Sequence, residues 1–238
     1  IIGSYPRPLS LAKLINRFNS GKITLERLEL GYDEYLRKLL KLLIQLDIQY
    51  LTDGMLRWDD IFNPLISYIE GVKVNGLHRF YDNNFFFRAP QVIAKVSLKE
   101  DNPIPLWYER ARSILHEITA ELNKQGAFVI KPVLPGPLTL AMNSINEVYS
   151  DVKDLIHDYA IEVLAPLIKV LRSKGASVIE IHEPELVAGK ASEDYVKASI
   201  NELANLSEEC GVKLWIQTYF GNIKNVLNYL TTLSDNII

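Results

Sequence analysis

The feature that most constrains this chain is an alternation. Short apolar runs that break into Gly, Pro or polar residues are separated by longer stretches of helical period, the pattern of repeated strand-helix units. Five runs read as strands: 1–5, 50–53, 127–133, 177–182 and 213–219, with a sixth beginning at Asn236. Val129, Ile130, Val178, Ile179, Ile181, Leu214 and Ile216 leave little alternation within these runs, so both strand faces must be covered, as in a parallel sheet flanked by helices.

The intervening helices carry ordinary punctuation. Trp107, Ala111, Ile114, Leu115, Ile118 and Leu122 share one face before Gly126. Ile156, Tyr159, Val163, Leu167, Val170 and Leu171 repeat the pattern before Gly175. Val196, Ile200, Leu203 and Leu206 do so before Gly211, with Ser192 placed as an N-cap. Two insertions are expected. One is helical and follows strand 1, over 9–18 and 24–47, with Leu36, Leu39, Leu40 and Leu43 on one face. The other follows strand 2 over 72–98, where Asn75-Gly76 and Asp82-Asn83-Asn84 act as turn signals for an antiparallel hairpin.

A dinucleotide-binding sheet would need a glycine fingerprint after a strand, and neither Gly3 nor the Gly136 turn supplies one. The expected fold is α/β, a TIM-like (β/α)8 barrel, in a single domain over 1–238. A strand-helix-strand unit takes roughly 30 residues and a whole barrel about 250. This chain spends many of its 238 residues on insertions and reaches only a sixth strand, so it is expected to be truncated at its C-terminal side by two or three units. It also lacks an initiator Met, and a trimmed N-terminus is expected.

Charge narrows the partners. Lys and Arg total 26 against 29 Asp and Glu, a net charge of -3, which argues against nucleic acid and anionic membrane surfaces. The richest apolar stretch, 36–46, carries Arg37, Lys38, Lys41 and Gln45 and is no membrane span. One cysteine, Cys210, makes neither an internal disulfide nor a Cys-rich zinc site, so a reducing compartment, the cytoplasm, is expected.

Barrel active sites lie at the carboxyl ends of the strands. The residues there are Gly3, Ser4 and Arg7; Asp53, Arg57 and Asp59; Lys131 and Gly136; His182 and Glu183; and Gln217 and Tyr219. His182 beside Glu183 is the most reactive-looking pair, able to move a proton near neutral pH, although the pattern favours a pair that only orients loops. Adjacent strand residues face opposite ways, so one of the two at most faces a site. Asp53, Arg57 and Lys131 can meet charged groups of a substrate or pair within the loops. Phe80, Tyr81, Phe85, Phe86 and Phe87 can stack on a flat heterocycle or belong to a hairpin that closes the barrel bottom or an interface, the second being favoured. His78, His116 and His157 have no second ligand at metal spacing.

In this order the strand-end segments resemble the cobalamin-independent methionine synthase family. They are Ile2-Gly3-Ser4-Tyr5-Pro6-Arg7, Asp53-Gly54 with Arg57 and Asp59, Lys131 through Thr139, Ile181-His182-Glu183-Pro184-Glu185-Leu186, and Gln217-Thr218-Tyr219-Phe220-Gly221. The resemblance implies Gly3 and Ser4 at an amino-acid carboxylate. It also implies a zinc-binding His-x-Cys pair at the positions held here by Tyr219 and Gly221, and acidic residues at those held by Gly54 and His182. The four differences point to the family's zinc-free N-terminal half, encoded as a separate chain. That half is expected to work with a homologous zinc-bearing chain, with a methylated folate or pterin as methyl donor, homocysteine as acceptor and no metal on this chain. The alternatives are a stand-alone, metal-independent methyltransferase using His182 and Glu183, and a non-catalytic methionine- or folate-binding barrel.

Overall fold

The computed structural model describes residues 3–81, 83–231 and 236–238. Its helices are α1 (Leu9–Asn19), α2 (Leu25–Gln45), α3 (Ile104–Glu121), α4 (Pro137–Met142), α5 (Val152–Asp158), α6 (Ala165–Ser173), α7 (Glu185–Ala188), α8 (Glu193–Cys210) and α9 (Leu227–Leu230). Its strands are β1 (Tyr50–Leu51), β2 (Ile69–Arg79), β3 (Phe86–Leu98), β4 (Val129–Ile130), β5 (Val133–Pro135), β6 (Ile145–Asn146), β7 (Val178–His182) and β8 (Lys213–Gln217). Between α5 and α6 the helix continues through Tyr159–Leu164 in wider turns of the i→i+5 kind. Among the described residues no helix is long and apolar enough to cross a membrane.

Backbone contacts divide the chain into two compact units. One runs up to Arg57 and takes in Leu106–Pro132; the other comprises Trp58–Pro105 and the residues from Val133 onward.

In the first unit β1 and β4 pair in parallel, Tyr50 with Val129 and Leu51 with Ile130. Helix α2 starts at Thr24, whose hydroxyl oxygen accepts the Arg27 N–H, and it buries Leu36, Leu39, Leu40 and Leu43, the face expected. Helix α3 follows α2 through ion pairs of Lys41 with Glu121 (3.1 Å), Arg110 with Asp33 (2.7 Å) and Arg37 with Glu117. Half-exposed pairs of this kind contribute about 0–1 kcal/mol each. The buried Tyr108, Ala111, Ile114, Leu115 and Ile118 therefore matter more to α3, whereas Leu122 is exposed. The run 1–5 forms no strand over Gly3–Tyr5, and Ile1 and Ile2 lie outside the described residues. Gly3 and Tyr5 are instead tied to the second run by Thr52 Oγ1 donating to the Gly3 carbonyl (2.8 Å) and Tyr5 N–H donating to that of Gly54 (2.8 Å).

The second unit holds two sheets. In the parallel sheet β5-β7-β8, Pro135, His182 and Gln217 form one row, so three strand ends stand level. Ile237 bridges Leu214 in parallel, which places the expected sixth run beside β8. Helix α8 begins at Ser192, whose hydroxyl accepts the Tyr195 N–H, and buries Val196, Ile200, Leu203 and Leu206, as the spacing requires. The other sheet is the antiparallel pair β2–β3 with β6 added in parallel.

Three expectations change in detail. The run 127–133 is two strands, β4 and β5, one in each unit. Pro132 has no N–H to donate and interrupts the ladder. Asn75-Gly76 is no turn but an irregularity inside β2, bridged by Asn75 Nδ2 donating to Gln91 Oε1 (3.1 Å). Phe80 N–H donates to the Phe85 carbonyl (2.8 Å) at the far ends of the two strands, and Asp82 of the expected Asp82-Asn83-Asn84 signal lies outside the described residues. The strands form separate sheets, and among the described residues none closes into a barrel, so the observed class is α/β with parallel strands alternating with helices.

Candidate functional site

In the first unit Gly3 is buried and Ser4 exposed, while Arg7 Nε donates to the Leu56 carbonyl (2.8 Å). Asp53 Oδ1 accepts the Met55 N–H (2.9 Å). Burial raises the Asp53 carboxyl above its ordinary range, against the opposing pull of that N–H and the Arg57 charge. Arg57 has a buried guanidinium 2.5 Å from Glu29 and 3.8 Å from Asp33, and 4.6 Å from the centre of the Tyr32 ring and 5.6 Å from that of Trp107. Those partners make Arg57 a brace for α2. Lys131 is fully buried, and burial lowers its amine to about 8.

In the second unit the strand-end row carries the candidate chemistry. His182 Nε2 lies 2.7 Å from Glu180 Oε1 and its Nδ1 lies 3.1 Å from the Tyr219 hydroxyl. Glu180 is wholly buried, His182 is 8% exposed and Tyr219 is half-buried, so the carboxylate, imidazole and phenol lead outward from the core. Burial and the Glu183 charge raise the Tyr219 phenol. Gln217 accepts the Glu183 N–H at its carbonyl (2.9 Å), which fastens β7 to β8 at this level.

Glu183 turns the other way. Its buried carboxyl accepts the N–H groups of Leu138 (3.1 Å) and Thr139 (2.5 Å) at the start of α4 and also bonds the Thr139 hydroxyl, with Ser199 Oγ 3.4 Å away. Burial outweighs those bonds and pushes it up to about 8. Gly136 is the residue that makes room, since a Cβ there would stand 1.9 Å from Glu183 Oε2. Glu183 and Gly136 thus build the α4 entrance, and His182 is the member of the pair whose imidazole reaches Tyr219. Asp59 is exposed. The loop is organised by its neighbour Asp60, whose carboxylate accepts the N–H groups of Phe62, Asn63 and Arg88 and the Asn63 amide.

The aromatic cluster divides. Phe80, Tyr81 and Phe87 are buried, Phe80 and Phe87 packing edge-on with Phe62 and Tyr81 with Phe80, whereas Phe85 and Phe86 are exposed. Phe220, absent from the expected set, joins it. Its centroid is 5.5 Å from that of Tyr81 and 4.9 Å from that of Tyr219, and its backbone is left-handed (φ 67°), which is costly for a residue with a side chain. Gly221 follows, where a Cβ would fall 1.7 Å from the Val187 carbonyl oxygen. A zinc-binding cysteine therefore does not fit at 221, and the phenol at 219 is bonded to His182. Among the described residues no three His, Cys, Asp or Glu side chains are grouped to hold a metal ion. Cys210 is buried, which raises its thiol.

Residues 70–237 match the family model described as the N-terminal domain of cobalamin-independent synthase. The methionine synthase of Saccharolobus solfataricus is 27% identical over 233 residues, 98% of this chain and 65% of that protein. That of Sulfolobus acidocaldarius is 29% identical over 202 residues, 85% of this chain and 56% of that one. The chain thus spans less than two thirds of these relatives' length. Among solved structures, the B12-independent methionine synthase from Shewanella sp. W3-18-1, in complex with selenomethionine, shares the fold. Its TM-score is 0.66, with 23% identity over 89% of this chain and 58% of that one.

Proposed function

Since this chain belongs to the cobalamin-independent synthase family through that family's N-terminal domain, we propose that it is the zinc-free part of a methionine synthase. In this reading a homologous zinc-bearing chain performs methyl transfer to homocysteine from a methylated folate or pterin, in the cytoplasm. The observation that carries the reading is the closure of position 221. With the Val187 carbonyl where a side chain would begin, the His-x-Cys pair that the family resemblance implies for the catalytic half does not fit at Tyr219 and Gly221, and no step of the reaction is assigned to metal on this chain. What this chain contributes is a rigid row of strand ends. Glu183 and Gly136 hold the entrance to α4, and the Glu180–His182–Tyr219 chain offers hydrogen-bonding groups to a small polar substrate.

Tandem purification with the zinc-bearing chain, followed by methyl transfer to homocysteine with and without this chain, tests the reading. Co-purification and a large loss of transfer on omission are expected. Undiminished transfer without this chain, or stoichiometric zinc on this chain alone, overturns it. A stand-alone, metal-independent methyltransferase is the second reading, favoured by the imidazole between a carboxylate and a phenol. It predicts turnover by the isolated chain that His182→Ala abolishes.

A further inference from the structure

We infer that Glu180 is a positioning residue, whose buried carboxylate keeps His182 in its Nε2–H form so that the Tyr219 hydroxyl donates a hydrogen bond to Nδ1 and presents its oxygen lone pairs to an N–H or S–H donor of the substrate. With Glu180 ionised its oxygens only accept, so the 2.7 Å contact from Glu180 Oε1 places the proton on His182 Nε2. A neutral imidazole then has an acceptor at Nδ1, and the 3.1 Å contact is closed by the one hydrogen remaining there, the phenol's own. Burial and the Glu183 charge raise the Tyr219 phenol, in keeping with a hydroxyl that retains its proton. Glu180 and His182 are two apart on β7 and share a strand face, so the orientation is set by sheet geometry rather than by a loop. The phenol sits at the half-buried end of the chain and the carboxylate at the fully buried end, which fixes the direction in which a ligand is met. A substrate bringing a hydrogen-bond donor is matched, and one bringing only acceptors is not.

The test is nitrogen NMR of the full chain labelled with 15N-histidine. The chain has four histidines, and His182→Asn identifies the signal of interest. The wild-type ring is expected as a single Nε2–H tautomer at neutral pH. Glu180→Gln, whose amide can accept or donate, should split it into both tautomers, and Tyr219→Phe should leave Nε2–H in place. An Nδ1–H or doubly protonated ring in the wild type overturns the inference without recourse to any variant, as does a Glu180→Gln spectrum like the wild type.

L-Homocysteine is the second probe, and its choice rests on the function proposed above. It should shift the His182 Nδ1 signal and bind Tyr219→Phe about fivefold more weakly, the loss of roughly one neutral hydrogen bond. Equal binding by wild type and Tyr219→Phe overturns the acceptor role. A correct tautomer with no homocysteine binding overturns the proposed substrate and leaves the Glu180 assignment standing.

Discussion

Replacing Gly136 with Ala isolates the contact on which the α4 entrance depends. Gly136 has φ -81°, an ordinary value for any residue, so alanine brings no backbone strain and its whole effect is steric. The new Cβ would lie 1.9 Å from Glu183 Oε2 and 2.4 Å from its Cδ, and reaching even 3.0 Å obliges the carboxyl to retreat about 1 Å. It cannot do so and keep its bonds to the N–H groups of Leu138 and Thr139, both buried. Each buried donor left without a partner costs about 1–3 kcal/mol, so Gly136→Ala should destabilise the chain by about 3 kcal/mol. Urea unfolding followed by far-ultraviolet circular dichroism measures this. In a Glu183→Ala background the obstructing atoms are gone and the same substitution should cost under about 1 kcal/mol, a coupling that a double-mutant cycle reads directly. A single variant within 1 kcal/mol of wild type, or no coupling, refutes the reasoning.

Glu183 should also give stability a pH dependence. Its carboxyl is raised from an ordinary 4.5 to about 8 in the fold, so the folded chain holds a proton that the unfolded chain has lost. The group's contribution is complete below about pH 4.5 and fades as pH climbs to 8, by at most about 1.4 kcal/mol per unit. Urea midpoints from pH 5 to 9 should show this fall, and Glu183→Gln should abolish it. Arg57→Met should cost about 2 kcal/mol in the same unfolding assay, because it strips Glu29 and Asp33 of a buried cation and unstacks Tyr32 and Trp107; an unchanged midpoint would mean the brace carries no load. The double substitution Tyr219→His with Gly221→Cys should yield a less stable chain without stoichiometric zinc, as metal analysis after dialysis would reveal, because the Val187 carbonyl occupies the space of the new side chain.

The sequence was legible where apolar period and punctuation agreed. Helix α8 shows this best: Ser192 caps it, Val196 to Leu206 keep their spacing, and the helix stops at Gly211. Strands β7 and β8 were plain for the same reason, being short apolar runs straight after a helix stop. Helix α4 was hidden because Pro137–Met142 is apolar at nearly every position and too short to show a period. Glu180 lies inside an apolar run, where a lone carboxylate carries no local pattern, whereas Glu183 stands directly beside His182 at the strand end. The period of two along a strand was the available signal, since the residue sharing a face with His182 is two positions away. The roles of Arg57 and Gly221 depend on what approaches them from distant parts of the chain, Glu29 and Trp107 in one case and Val187 in the other. No local pattern encodes such neighbours.

The wide-turned stretch Tyr159–Leu164 bears on how relatives of this chain differ in length. A helix that loosens to i→i+5 bonding for a single stretch, with regular α5 and α6 on either side, holds one amino acid more than an uninterrupted spiral would need between the same two ends. A one-residue deletion should be absorbed here by simple tightening, while the same loss in α8 would swing every later side chain about a hundred degrees around the axis. When homologous chains are laid side by side, a lone gap belongs opposite Tyr159–Leu164.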